Sequence, residues 1–284
     1  MGKLKDQMEM DMKLRRFSPK TISCYLACMR NVAIYFGKSP AELDEEEIRK
    51  YLYHLIEERN VSQAVISQSY SALKFFFENT IQKPWNVSKI PRSKQRKKLP
   101  QVLSKHEVES IFSVTTNLKH RAILMTIYAA GLRVGEATRL KVSDIDSGRM
   151  AIRVNEGKGL KDRYTLMGER TLEVLRLYYK AYRPSEWLFP GRSSSEPVSI
   201  SSVQRVFKTS LHKAGIKKKA SVHTLRHCFA THLLESGTDL YYIQRLLGHG
   251  SARTTSVYLH ITGKDLSKIK SPIDLLGDDP QPTP

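Results

Sequence analysis

Apolar residues in the first 90 positions recur every three or four residues, which is the spacing of one face of an α-helix. Start signals precede two of these stripes: Ser18-Pro19 is an N-cap followed by a first-turn proline, and three glutamates after Asp44 suit the positive end of a helix dipole. The segment Lys3–Arg16 has a weaker pattern and is expected to be frayed. This part of the chain is therefore predicted to be a small all-helical bundle. Its stripes are Ile22–Phe36, the segment that begins at Asp44, and Ile66–Ile81.

The pattern becomes mixed after residue 100. Two short β-type runs, Ala151–Val154 and Arg163–Leu166, flank residues 156–162, which predicts a hairpin with a basic tip. Apolar periodicity and caps predict helices on both sides of the hairpin, beginning with a capping box at Ser104. The predicted fold is mainly α with a small β-sheet, in which an all-helical domain precedes an α+β domain. The helices predicted in this second part are Ser104–Val114, Arg121–Ala130, Thr171–Tyr182, Ser201–Ala214, Thr224–Ser236, Leu240–Leu247 and Ser251–Ile261.

A basic run from Pro91 to Pro100 separates the two parts. Prolines at both ends block a helix and like charges repel one another, so the run is interpreted as an extended linker. The predicted domains are 1–90, a linker at 91–100, a second domain at 101–276 and a flexible tail at 277–284. The linker could also lie along a phosphate backbone, whereas a nuclear-localisation signal is the weaker interpretation. The candidate DNA-binding residues are Arg92, Lys94, Arg96, Lys97 and Lys98, with Lys161 in the hairpin tip.

The chain has 47 Lys and Arg against 28 Asp and Glu, a net charge of +19. Such an excess favours a polyanionic partner, because each phosphate that a basic side chain neutralises releases counterions. No apolar run approaches the ~18 residues of a membrane-spanning helix, and three cysteines cannot form a disulfide framework. We therefore expect a cytoplasmic protein with no membrane partner. Cys24 and Cys28 lie one helical turn apart with no second Cys or His pair nearby, which favours buried thiols over a metal pair.

Two segments contain candidates for binding and proton transfer. Arg133 lies in a turn between two predicted helices, where it could receive an anion or simply pair with Glu136 or Asp144. His223 and Arg226 are three residues apart and face the same way in the first turn of a helix.

A metal pair is the alternative for the second segment, because His223 and His227 have a suitable spacing. The HExxH pattern is absent and Arg226 would repel a cation, so no metal site is predicted. His227 and His232 are expected to pack or to form hydrogen bonds instead. A third segment places His249 in a turn and Tyr258 in the next helix, where a tyrosine by itself is more often a core residue than a nucleophile.

Together the segments resemble the tyrosine recombinase family, also called the phage integrases. The resemblance is carried by Arg133, His223-x-x-Arg226, His249 and Tyr258, and by the flanking runs Ala-Gly-Leu-Arg-Val-Gly-Glu, Arg-His-x-Phe-Ala-Thr-His-Leu-Leu and Leu-Leu-Gly-His. It covers residues 15–262 and is nearest to Xer-type recombinases and simple integrases. It implies an N-terminal helical core-binding domain of SAM-like type, an α+β catalytic domain, and a C-shaped clamp around duplex DNA.

The resemblance also implies roles for these residues. Arg133, His223, Arg226, His249 and the nucleophile Tyr258 would be catalytic. A hairpin lysine would be the sixth catalytic residue and matches Lys158, with Lys161 as the alternative, because the family's Val-Pro-Leu strand after the hairpin is replaced here by Tyr-Thr-Leu-Met.

The implied function is a site-specific DNA recombinase or integrase of a mobile element. It would cut and rejoin double-stranded DNA through a 3′-phosphotyrosine, as a homotetramer on two DNA sites, with no metal, ATP or other cofactor. Two other functions stay open. One is a type IB-like topoisomerase, and the other is a non-catalytic DNA-binding regulator.

Overall fold

A computed structural model describes residues 2–86, 100–155, 162–248 and 252–256. The chain divides into two compact units, Met1–Lys97 and Lys98–Pro284. The domain boundaries given above stay predictions. The helices of the first unit are α1 (Gly2–Leu14), α2 (Pro19–Phe36), α3 (Glu45–Glu57) and α4 (Gln63–Phe75), and a π-helical turn at Phe76–Thr80 follows α4.

The starts of α2 and α3 confirm the predicted signals. The Ser18 hydroxyl accepts a hydrogen bond from the backbone N–H of Thr21. Asp44 and Glu47 form a reciprocal capping box, in which each side chain accepts from the other residue's backbone N–H. These local bonds satisfy donors that the first helical turn otherwise leaves without partners.

The expectation that Lys3–Arg16 is frayed was wrong, because this segment forms helix α1. Met8 and Met12 are buried in the core of the first unit. The side-chain amide of Gln7 also donates to the carbonyl of Thr80 at 3.0 Å. Tertiary burial of two methionines stabilises this helix, whereas its own periodicity is weak.

The two cysteines of α2 are not fully buried, which corrects the expectation of buried thiols. Cys24 and Cys28 are both half-buried. The Cys28 sulfur lies 3.8 Å from the Ser69 hydroxyl that donates to it, and burial raises the pKa of its thiol. Among the described residues no group of three or more His, Cys, Asp or Glu is placed to hold a metal ion.

The second unit consists of helices and one small sheet. Its three strands are antiparallel in the order β1-β2-β3. Strand β2 pairs with β3 so that Val154 faces Arg163 and Ala151 faces Leu166. The elements are α5 (Lys105–Val114), α6 (Leu118–Ala130), α7 (Val134–Thr138), β1 (Ile145–Asp146), β2 (Ala151–Val154), β3 (Arg163–Leu166), α8 (Glu169–Tyr182), α9 (Ile200–Lys213), α10 (Val222–Glu235), α11 (Leu240–Leu247) and α12 (Ala252–Thr255).

Both predicted strands are confirmed, and the helix boundaries from α8 to α11 agree with the predictions within two residues. Helix α6 begins three residues before the predicted Arg121, because the Asn117 side chain caps it. Strand β1 was not predicted, since two residues show no alternation. Most of the hairpin tip, the linker before Pro100 and the predicted helix beyond residue 256 lie outside the described residues.

Helix α6 lies at the centre of the core of this unit. Leu124, Ile127 and Ala130 are fully buried, and Leu225 of α10 belongs to the same cluster. The Thr165 hydroxyl of β3 donates to the carbonyl of Ala130 at 2.8 Å, which fixes the sheet to the end of α6. No helix of the described ranges is long and apolar enough to cross a membrane.

Candidate active site

Arg133 lies in the sharp connection between α6 and α7. Its backbone N–H donates to Glu136 Oε2 at 2.8 Å, and its guanidinium donates to Glu136 Oε1 at 2.7 Å. Of the two partners considered from the sequence, Glu136 is therefore the one that pairs. Asp144 instead accepts from the backbone N–H of Lys141 and from the Asn155 amide.

Gly131 makes this connection possible. Its φ is +59°, a backbone conformation that residues other than glycine rarely adopt. A Cβ added there would lie 2.3 Å from Cδ1 of Phe229 in α10. The glycine therefore lets the end of α6 approach α10 closely, and its carbonyl becomes available to that helix.

Arg226 of α10 uses that carbonyl. Its Nη1 donates to the Gly131 carbonyl at 2.6 Å, and its Nη2 donates to the Leu247 carbonyl at 2.7 Å. Nη1 also lies 3.8 Å from Glu136 Oε2, and the residue is only 1% exposed. This buried guanidinium joins α10 to the ends of α6 and α11.

His223 lies one turn before Arg226 and keeps an accessible face, although many atoms surround its ring. Partial burial and the positive charges of Arg226 and Arg133 lower the pKa of its imidazole, and only the Glu136 carboxylate opposes them. The ring is therefore neutral near pH 7 and able to accept a proton. A groove between α9 and α10, lined by Lys208 and Lys219, leads to this face.

The other two histidines of α10 have different surroundings. The His227 ring packs edge-on against His223 with centroids 4.7 Å apart, and burial lowers its pKa to about 4. His232 is buried and hydrogen-bonded to the Tyr128 hydroxyl and the Leu103 carbonyl. Packing and hydrogen bonding, as predicted, account for both residues.

Glu136 is the common partner of the arginines, and sequence reasoning treated it only as one possible neighbour of Arg133. Burial works to raise the pKa of its carboxyl, but the hydrogen bonds and charges of Arg163 and Arg133 outweigh burial and lower the pKa to about 2. Its side chain is 3% exposed, so the carboxylate is a buried anion surrounded by cations.

Arg163 is the residue that sequence reasoning missed, because it was interpreted only as part of a strand. Its Nη1 and Nη2 donate to the two oxygens of Glu136 at 3.1 and 2.8 Å. Its Nε donates to the Leu246 carbonyl at 2.9 Å. No local signal could have shown these contacts, since they join β3 to residues 27 and 83 positions away.

The described part of the site thus brings together Arg133, His223 and Arg226. The positive charges of the two guanidiniums favour an anion at this place, and the neutral imidazole beside them is a proton acceptor. The other predicted site residues lie outside the described residues: Lys158, His249, Tyr258, Arg92, Lys94, Arg96, Lys97, Lys98 and Lys161.

Comparison with known families gives a match for each part of the chain. Residues 101–264 match the model of the phage integrase family, and residues 4–87 match that of the phage integrase N-terminal SAM-like domain. The chain belongs to the phage integrase family. Both units are therefore accounted for by domains of phage integrases, including the SAM-like first unit.

Individual phage integrase relatives align over nearly the whole chain. The y4qK protein of Sinorhizobium fredii is 42% identical over 285 residues, which cover 100% of this chain and 92% of that protein. The tyrosine recombinase of Thermosipho africanus is 31% identical and covers 89% of this chain and 92% of its own length. The crystal structure of XerH bound to a palindromic difH substrate superimposes with a TM-score of 0.72 at 23% identity, covering 87% of this chain and 78% of that one. At this identity the likeness concerns the fold.

Proposed function

We propose that this protein is a site-specific DNA recombinase that cuts and rejoins DNA through a 3′-phosphotyrosine. The observation that carries the proposal is the convergence of Arg133, His223 and Arg226 around Glu136, although about 90 residues separate the two segments. Membership of the phage integrase family, with relatives named integrases and tyrosine recombinases, supports the same function.

The two arginines are proposed to bind the scissile phosphate. Planar guanidinium forks match its non-bridging oxygens, and they stabilise the charge that develops in the transition state. Arg226 is buried, so its charge acts strongly on a phosphate bound beside it. His249 would donate a further hydrogen bond. Side chains supply this positive charge, so the proposal includes no metal ion.

The proposed residues account for every bond and proton in the cleavage step. The Tyr258 hydroxyl oxygen attacks phosphorus while its proton passes to His223, whose imidazole is neutral. The bond from phosphorus to the 5′ oxygen breaks, and Lys158, or Lys161 in its place, protonates the leaving oxygen. Rejoining reverses these transfers. The ester bond energy is kept in the phosphotyrosine, so no ATP is needed.

Duplex DNA is the proposed partner, and its chemistry sets the assembly. The net charge of +19 suits a polyanion, and the XerH structure contains a DNA substrate. Exchange between two duplexes needs four strand cleavages, and each chain has one proposed nucleophile. We therefore propose a homotetramer on two DNA sites, and the cytoplasm as the compartment in which it acts.

The experiment is covalent trapping on a nicked suicide substrate, from which the short cleaved product diffuses away. Wild type is expected to form a protein–DNA adduct, in the presence of EDTA as well. Tyr258→Phe is expected to form none, yet to bind DNA nearly as tightly, because one phosphate contact among many is lost. Tyr241→Phe is the control, since Tyr241 is an exposed tyrosine of α11.

Three outcomes separate the alternatives. A wild-type protein that binds DNA but forms no adduct would be a regulator. An adduct without strand exchange between two sites would indicate a topoisomerase. An adduct that persists in Tyr258→Phe would place the nucleophile elsewhere.

A further inference from the structure

Arg163 occupies a position that the proposed chemistry does not use. Its side chain is 10% exposed and lies between the Glu136 carboxylate and the Leu246 carbonyl. The residue begins strand β3, directly after the tip of the hairpin. Burying a guanidinium in this way costs desolvation free energy, which only an anion paired with it can offset.

The four hydrogen bonds to Glu136 show what Arg163 does. Each carboxylate oxygen has two acceptor positions. Oε1 accepts from the guanidiniums of Arg133 and Arg163, and Oε2 accepts from the Arg133 backbone N–H and from Arg163. Arg226 stays 3.8 Å from Oε2, beyond hydrogen-bonding distance. Arg163 thus fills half of the acceptor capacity of the carboxylate.

Charge leads to the same result. The cluster contains three guanidiniums and one carboxylate, which leaves two positive charges. Glu136 is bidentate with Arg163, accepts one guanidinium hydrogen bond from Arg133, and lies 3.8 Å from Arg226, so more of its negative charge is taken up by Arg163 than by either of the other two arginines. Those are the two residues to which the proposed function assigns the phosphate.

We propose that Arg163 is a positioning residue that saturates Glu136 and so reserves the charge of Arg133 and Arg226 for the scissile phosphate. Without Arg163, two acceptor positions of a buried carboxylate open beside Arg226, only 3.8 Å away. Glu136 then draws Arg226 toward itself and cancels part of the charge that the phosphate meets. This inference rests on the proposed function.

The test measures single-turnover cleavage of the suicide substrate at saturating protein, together with the Kd for DNA. Arg163→Gln is expected to slow cleavage by about 100-fold while Kd changes little, because the lost stabilisation belongs to the transition state. Arg149→Gln is the control. It removes an equal charge from the turn between β1 and β2, where Arg149 is 79% exposed.

A second variant separates charge from folding. Arg163→Gln combined with Glu136→Gln removes the neutral pair together and leaves both charges on Arg133 and Arg226. It is expected to cleave at least about 10-fold faster than Arg163→Gln, and within about 10-fold of wild type. If Arg163 acted only through its hydrogen bond to the Leu246 carbonyl, neutralising Glu136 would not restore the rate constant. Thermal unfolding of each variant checks that the protein is folded under the conditions in which its cleavage rate is measured.

Two results would overturn the inference. One is an Arg163→Gln rate equal to that of Arg149→Gln. The other is a cleavage rate of the double variant that is about 100-fold or more below that of wild type. This second result contradicts the inference even where Arg163→Gln alone does not fold. A wild type that forms no covalent adduct contradicts the proposed function instead, so the two failures are distinguishable.

Discussion

At the scale of single residues, His223 combines an accessible face with a pKa held below its ordinary value. The cationic neighbours are Arg226 on its own helix and Arg133 at the start of α7, and Glu136 partly offsets them. Protonated imidazole cannot accept the proton of the nucleophile. Activity that depends on His223 is therefore present above its lowered pKa and is lost as the pH falls through it.

The midpoint of the decline in cleavage rate on the acidic side is accordingly expected below the ordinary imidazole pKa of about 6.5, because partial burial and the charges of Arg226 and Arg133 lower the pKa of His223. His223→Gln should slow single-turnover cleavage by roughly 10²–10⁴-fold and abolish this acidic limb. His106→Gln, at an exposed position of α5, should change neither. An acidic limb that survives in His223→Gln would assign the proton acceptor to another group.

The limits of sequence reasoning are also clear at this scale. Arg133 and Glu136 lie within one turn, so their pairing could be weighed in advance. Arg163 could not be found, because its contacts depend on how β3 packs against α7 and α11. The burial of Arg226 was equally invisible, since both of its carbonyl acceptors come from other helices.

Among the elements, helices with a strong local signal were predicted closely. Capping side chains at Ser18, Asp44 and Ser104 mark three starts, and the structure forms all of these bonds. Helix α1 lacked such a cap and was misjudged, because its stability comes from distant contacts such as that of Gln7 with Thr80. Local energetics can be predicted from sequence, whereas packing between elements must be observed.

The junction of α6 and α7 offers a test at the same scale. Gly131 and Gly215 both have positive φ, but a Cβ at Gly215 meets no atom within 4 Å. Gly215→Ala should cost about 1 kcal/mol through backbone strain. Gly131→Ala should cost roughly 1–3 kcal/mol more, because the methyl group collides with Phe229. Thermal unfolding measures both costs, and equal values would show that α10 is not packed against this turn.

For the whole molecule, charge is distributed unevenly. Residues 1–90 contain 14 basic and 11 acidic side chains, so a net charge of +16 lies in the remaining chain. Five of those basic residues lie in the predicted linker. The net charge and the linker composition were readable from the sequence, whereas the path of DNA across the two units was not.

Replacing all five linker residues by glutamine should weaken DNA binding and flatten its salt dependence. The slope of log Kd against log salt should fall by up to about 4.5, because each released phosphate contact contributes ~0.9. A control with five exposed basic residues of the second unit replaced should change the slope less. An equal change in both would mean that total charge matters, and not the linker. The linker set is Arg92, Lys94, Arg96, Lys97 and Lys98, and the control set is Arg149, Arg170, Arg176, Lys180 and Arg183.

Three backbone carbonyl oxygens accept hydrogen bonds from the buried arginines. Arg226 donates to those of residues 131 and 247, and the Nε of Arg163 donates to that of residue 246. Every amino acid presents the same carbonyl, so a substitution at Leu246 leaves that acceptor in place. Genetic drift at these three positions can therefore remove the acceptors only by diverting the path of the chain. That path depends on Gly131 and on Gly248, where a Cβ would lie 2.8 Å from Cδ of Arg163. Selection for a new DNA target could rework the surrounding side chains while these oxygens stay fixed.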